Sequence, residues 1–121
     1  MNDNISIQER TEKFAIRVVK AYSEIQKQNN FNDAVVILAK QFLRSGTSVG
    51  ANCAEAKYAQ SRKDFLSKYL IALKEANETK FWIKLIIEAG DFSPGKFSLL
   101  EKELDEILGI LIATTKKLKD D

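Results

Sequence analysis

The sequence predicts an all-α fold, an antiparallel up-down four-helix bundle that fills a single domain over residues 1–121. Three observations lead there. Apolar residues recur at three- and four-residue spacing through four long segments. Short polar or Gly/Pro breaks separate those segments, and short connections make neighbouring helices antiparallel. No stretch alternates with the period of a strand, and no internal repeat is visible.

Helices are expected over residues 7–28, 33–60, 62–89 and 97–118. The first opens on Ser6-Ile7-Gln8-Glu9, a capping box whose hydroxyl and carboxylate each satisfy an unpaired amide. On a wheel of 100° per residue, Phe14, Val18, Val19, Ala21, Tyr22 and Ile25 share one face. Arg10, Lys13, Arg17, Lys20 and Lys27 share another, diluted by Glu9 and Glu24. The helix is expected to end at Gln28-Asn29-Asn30.

The second helix begins near Asn32-Asp33, residues suited to an N-cap. Leu38, Phe42, Val49, Cys53 and Ala56 lie along one side, beside a polar stripe of Gln41, Arg44, Ser45, Ser48, Asn52 and Glu55. Its far side carries Gly46, Gly50 and Ala54. Glycine in a helix interior costs about 1 kcal/mol relative to alanine, so two of them point to close helix packing or a bend, with simple tolerance as the bland alternative.

Ser61-Arg62-Lys63-Asp64 caps the third helix. Phe65, Tyr69, Leu73, Ala76, Ile83 and Ile87 cover one flank of it, and Ile71, Ala72, Glu75, Thr79, Trp82 and Ile86 another, an arc wider than one seam requires. Gly90 to Gly95, with Pro94 inside, is the clearest break. The fourth helix has a stripe of Leu100, Leu104, Ile107, Leu108, Leu111, Thr115 and Leu118. It ends in a charged tail whose lysines suit the helix dipole.

Composition narrows the function classes. A chain of 121 residues with 45% hydrophobic and 30% charged content is ordinary for a soluble domain, and at this length about two-thirds of the unfolded surface is buried. The formal net charge is +2, with no histidine, which removes the commonest general base and metal ligand at neutral pH. Cys53 is the lone cysteine and cannot pair within the chain, so a reducing, cytoplasmic setting is expected. Met1-Asn2-Asp3-Asn4 has neither a basic head nor an apolar run, so no signal peptide is expected. No apolar run approaches the roughly 20 residues of a membrane span.

Arg44 and Glu78 lie equally far from the turn at Ser61 and so face each other in an antiparallel hairpin, with Glu75 one turn away. A buried carboxylate needs a partner, and a guanidinium supplies one bidentately. The expectation is a buried network of Arg44 with Glu75 or Glu78, supported by Ser48, Asn52 and Thr79, that sets helix register. A solvated surface pair is the alternative. Helical-bundle metal sites use Glu-x-x-His pairs, and none exists here, so neither metal nor cofactor is expected. Cys53 has no histidine to activate it and is expected to be a core residue.

Arg44-Ser45-Gly46-Thr47-Ser48-Val49-Gly50-Ala51-Asn52-Cys53-Ala54-Glu55-Ala56 resembles a signature of bacterial four-helix-bundle proteins encoded in intervening sequences of 23S ribosomal RNA genes. Asp64-Phe65, followed by Ala72-Leu73-Lys74-Glu75-Ala76-Asn77-Glu78-Thr79-Lys80-Phe81-Trp82, resembles that family's second signature. Such proteins are often described as ribosomal proteins. They are similar to the accessory variability determinant of diversity-generating retroelements. The resemblance implies a four-helix bundle that assembles as a ring-like homopentamer, with no catalytic residues. For the accessory protein it implies binding of nucleic acid and of a reverse transcriptase through a basic surface. The modest charge of this chain departs from that strongly basic member.

Self-association has support of its own. Phe81, Trp82, Ile83, Leu85, Ile86 and Ile87 run almost round the third helix, and Ile107, Leu108, Ile110, Leu111 and Ile112 round the fourth. Surplus apolar surface of this kind marks interfaces.

The leading functional expectation is therefore a non-enzymatic oligomer that binds RNA or DNA. Its candidate surface is Arg10, Lys13, Arg17 and Lys20 on the first helix with Lys57, Tyr58, Arg62, Lys63 and Lys68 at the hairpin tip. Basic residues on phosphates release counterions, and a tyrosine among them can stack on a base. The alternative is an oligomeric scaffold that docks a protein such as a polymerase and never touches nucleic acid. No metal-ligand set, phosphate-binding loop or nucleophile–base pair supports an enzyme.

Overall fold

The computed structural model describes residues 5–28 and 32–120. Four helices run in order, α1 (Ile7–Gln28), α2 (Asp33–Ala56), α3 (Arg62–Ala89) and α4 (Ser98–Asp120), with a 3-10 turn at Pro94–Phe97. Among the described residues there is no strand. Each helix packs on its neighbours, α1 on α2 and α4, and α3 on α2 and α4, while the diagonal pairs stay apart. This is the antiparallel bundle the short connections demand. The stretch Met1 to Asn4 and the turn residues Asn29 and Asn30, on which expectations fell, lie outside the described residues.

One core runs the length of the bundle. Phe14, Val18, Phe42, Val49, Ile83, Leu104, Ile107 and Leu111 are fully enclosed, and each such side chain contributes about 1.5–3 kcal/mol relative to exposure. Phe97 closes one end, set edge-to-face on Phe92 with centroids 5.8 Å apart. The glycines of α2 explain the tight α1–α2 seam. A Cβ on Gly46 would meet both γ-carbons of Val18 at 2.8 Å, and one on Gly50 would lie 3.0 Å from the Thr11 carbonyl oxygen. Ala54, third in the series, is exposed. Close packing is thus the reason for Gly46 and Gly50.

Several details differ from the sequence expectation, each for a local reason. α2 ends at Ala56 rather than near residue 60. Tyr58 and Ala59 donate to carbonyls three residues back, and the Asp64 carboxylate takes the Gln60 amide, so the next helix's cap competes the chain out of α2. At α1 only the hydroxyl half of the capping box forms, Glu9 N–H to Ser6 Oγ at 3.1 Å, because the Glu9 carboxylate turns to Lys13. The α3 stop places Asp91, not Gly90, in the left-handed region, at φ 58°, a conformation aspartate tolerates better than most residues. Gly90 serves clearance instead, since a Cβ there would sit 2.6 Å from the Ile86 carbonyl and 2.8 Å from the Phe92 ring. α4 starts at Ser98, after the separate 3-10 turn, and continues to Asp120.

The apolar surplus is smaller than the wheel indicated. Ile83, Ile86, Ile107, Leu108 and Leu111 are buried within this bundle, and Trp82, Leu85, Ile87 and Ile110 are half-buried. Phe81 and Ile112 remain 54% exposed. On α1, Val19 was expected to face the core, yet it is exposed beside Ile16.

Candidate nucleic-acid interface

The α2–α3 hairpin and the end of α4 meet at one end of the bundle. There a hollow of about 370 Å³ is lined by Ala56, Lys57, Ala59, Ser61, Arg62, Phe65 and Leu118. Its local structure follows from the caps. Ser61 Oγ accepts from Asp64 N–H at 3.0 Å and starts α3, which fixes Arg62 and Lys63 in the first turn. Tyr58 N–H donates to the Glu55 carbonyl at 2.9 Å, so the root of this side chain is held while its ring stays 81% exposed.

The nine candidate contact residues divide into two groups. On α1 the cations are largely spoken for. Lys13 Nζ is 3.2 Å from Glu9. Arg17 Nε is 3.2 Å from Glu103 Oε1 but off the hydrogen-bond axis, so the attraction there is coulombic alone. Arg10 is half-buried, its Nε enclosed without a partner. Lys20 alone of this set is exposed and without an ion pair. At the hairpin, Lys57 and Lys63 are exposed and without ion pairs among the described residues. Lys68 Nζ hydrogen-bonds Glu55 at 3.0 Å. That hydrogen bond, and then the Glu55 charge, raise the ammonium above its ordinary value. The structure therefore separates the α1 stripe from the hairpin end.

Sequence reasoning assigned the α4 lysines to the helix dipole and missed what the fold does with them. Leu118 shares the hollow with Lys57 and Arg62, so Lys116, Lys117 and Lys119, all exposed, come to the same end of the molecule. A second hollow of about 600 Å³ lies in the α1–α2 groove and also reaches Lys57 and Tyr58. Its other walls include Glu9 and Glu12, which disfavour phosphate.

The six residues expected to form one buried polar network do not form one: Arg44 pairs with Glu75, whose carbonyl accepts from Thr79 Oγ1 at 2.7 Å, Asn52 and Ser48 bond each other within α2, and Glu78 stands apart. Arg44 is 3.4 Å from Glu75, but the Arg44 side chain is 54% exposed and that of Glu75 12%, so the pair sits at the surface and not in the core. Long side chains on α2 and α3 meet at the rim of the hairpin, where the guanidinium keeps its water. Arg44 Nε also reaches Gln41 at 3.3 Å. Glu78 makes no ion pair or side-chain hydrogen bond among the described residues. Asn52 donates to the Ser48 carbonyl and hydroxyl, within α2. The buried polar contact is one the sequence reading did not single out. Thr79 Oγ1 and Ser45 Oγ are 2.8 Å apart, and both residues are fully enclosed. Ser45 lay in the polar stripe, and its position nearest the α3 side was the available signal.

Near the hairpin end, Gln8 ties three helices, donating to Tyr69 Oη at 2.9 Å and the Cys53 carbonyl at 3.3 Å. Burial pushes the Cys53 thiol up to about 11, against a smaller lowering by the Thr11 hydrogen bond. A thiol so placed stays protonated and is a poor nucleophile at neutral pH. Among the described residues no three His, Cys, Asp or Glu side chains converge to hold a metal, and no helix is long and apolar enough to cross a membrane.

Comparison with solved structures finds a close relative in fold. A crystal structure of a protein of unknown function from the S23 ribosomal protein family of Bacteroides thetaiotaomicron is 38% identical. The match has a TM-score of 0.83 and covers 92% of this chain and 99% of that one. Comparison with curated proteins finds no match. The family model described as 23S rRNA-intervening sequence protein matches residues 3–113, and with both signatures lying on the α2–α3 hairpin of a four-helix bundle, the chain belongs to that family.

Proposed function

We propose that this protein is a non-enzymatic homo-oligomer that binds RNA or DNA through the basic end of its bundle. The observation that carries the reading is the charge at that end. Lys57, Arg62, Lys63 and Lys68 stand against Glu55 and Asp64 in the hairpin, and Lys116, Lys117 and Lys119 against Asp120 and Asp121 in the sequence of the last turn and tail. A net charge of +2 conceals this local excess. Each cation placed on a phosphate releases counterions, so binding should weaken steeply with salt. The α1 stripe, in which Lys13 and Arg17 are paired with acids and Arg10 is half-buried, plays the lesser part.

Exposed Phe81 and Ile112 support self-association, with the ring of five expected from the family as the assembly to look for. A free, buried thiol fits a reducing, cytoplasmic setting. The test is a filter-binding titration at micromolar protein and two salt concentrations, with Lys57→Glu/Lys63→Glu as the control. Salt-sensitive binding that the double variant loses supports the reading, and its absence in the parent refutes it. Sedimentation of the same sample reads the oligomer, and a monomer at all concentrations removes that part.

The second reading, a scaffold that docks a protein such as a polymerase, draws on the exposed Ile16 and Val19 of α1. A protein partner that copurifies after nuclease treatment, lost on Ile16→Lys, favours it.

A further inference from the structure

We infer that the basic end of the bundle takes an unpaired nucleic-acid strand, with Tyr58 as the stacking platform and the last turn of α4 as a second wall of the site. The inference deepens the nucleic-acid reading above and rests on it.

Tyr58 carries the argument for an unpaired strand. A buried tyrosine would be core, and a half-buried one would cover a seam. This one is 81% exposed, makes no side-chain hydrogen bond and no ring contact, and follows a helix end that anchors its backbone. The ring is thus presented to solvent from a fixed base. An aromatic face offered this way meets the face of a nucleobase, and only an unpaired, unstacked base has that face free. In a duplex the faces are occupied by neighbours, and the ring would gain little.

Charge then sets the path of the backbone. Lys57 lines both hollows, and Tyr58 next to it lines the one in the α1–α2 groove. Glu9 and Glu12 line the α1–α2 side, and Glu12 makes no ion pair among the described residues, so phosphate is repelled there. On the opposite side the lining includes Lys57, Arg62 and Leu118 and, among the described residues, no carboxylate. The phosphates therefore follow the side between the hairpin and α4, where exposed Lys117 and Lys119 flank Leu118, and a base turned away from them meets Tyr58. Neither segment makes the site alone, because the hairpin supplies the ring and the first cations and α4 closes the other side.

The test is fluorescence anisotropy with the full chain. Probes are a labelled 20-nucleotide uridine-rich single strand, its DNA counterpart, and a duplex of the same length, the RNA and DNA arms separating the two sources of the strand. Tyr58→Ala is expected to weaken single-strand binding roughly 5- to 100-fold, the loss of one stacked base, and to leave duplex binding unchanged. Tyr58→Trp is expected to retain it. Lys117→Gln/Lys119→Gln is expected to lower the slope of log K against log salt by about 0.7–1.4, one to two single-strand phosphate contacts. Because the Tyr58 side chain is 81% exposed and makes no hydrogen bond or ring contact among the described residues, its variants should melt with the parent. Single-strand binding unmoved by Tyr58→Ala, or equal loss on duplex, overturns the inference while salt-sensitive binding itself keeps the broader reading. A parent that binds none of the three probes removes both.

Discussion

Replacing Gly46 by alanine tests the packing of α1 on α2. Alanine is the better helix former by about 1 kcal/mol, so a free position would gain that amount. At Gly46 the added carbon would stand 2.8 Å from both γ-carbons of Val18, where apolar carbons normally rest at about 3.5–4.0 Å. Val18 is fully buried, and its β-branched side chain has one strongly preferred rotamer in a helix. It cannot swing aside, so α1 must move. Overpacking of this kind costs about 1–3 kcal/mol, and with two atoms in conflict the upper half of that range applies. The net expectation is destabilisation by about 1–2 kcal/mol. Gly109 supplies the control, because a Cβ there meets nothing within 4 Å and Gly109→Ala should stabilise by about 1 kcal/mol. The two variants then differ by about 2–3 kcal/mol, a gap of order 10 °C in Tm for a chain of this size. Urea denaturation reads it as opposite shifts of midpoint with an unchanged slope. Protein concentration must be matched, since self-association makes Tm concentration-dependent. Adding Val18→Ala to Gly46→Ala should recover part of the loss, a coupling only a direct contact produces. A Gly46→Ala variant that gains stability as Gly109→Ala does would refute the reasoning.

Other perturbations follow the same geometry. Arg44→Ala should cost only about 0.5–1 kcal/mol in urea denaturation, since the guanidinium end of the pair with Glu75 is exposed; a loss of several kcal/mol would mean that the Glu75 carboxylate, on a side chain only 12% exposed, depends on that cation. Thr79→Val should cost about 1–1.5 kcal/mol by removing the shorter hydrogen bond of the enclosed Ser45 hydroxyl, which keeps only the Phe42 carbonyl at 3.4 Å, and adding Ser45→Ala should restore part of it. Cys53 links stability to pH. Its folded pKa of about 11 lies above the ordinary 9.0, so its contribution is fully present below pH 9 and is lost as pH rises towards 11. The loss is about 2–3 kcal/mol at most, Tyr69 shifts in the same direction, and urea midpoints at pH 8.5 and 10.5 should fall further apart in the parent than in Cys53→Ala. Asp91→Gly should stabilise by about 1 kcal/mol, because glycine enters the left-handed region freely; an unchanged midpoint would count against that backbone conformation.

Apolar spacing, caps and breaks in the chain were enough for the four helices and their antiparallel order, because those signals act within a few residues of one another. The starts of α1 and α3 were legible in Ser6 and Ser61, and the close approach of α1 in the pair Gly46 and Gly50. What periodicity could not supply was depth. A wheel places Arg44 beside the carboxylates of α3, but whether that contact is buried depends on how two long side chains meet at a helix rim. It likewise places Val19 with Phe14, though only the position of the neighbouring helices decides which edge of an apolar arc is covered. Pairing of Arg17 with Glu103 across to α4 and of Lys13 with Glu9 within α1 took half of the four candidate cations of the α1 stripe. The meeting of Lys57 and Arg62 with Leu118 in the lysine-rich last turn of α4 lay beyond sequence reading altogether. It joins residues some sixty positions apart, and only the closing of the bundle brings one chain end against the middle hairpin.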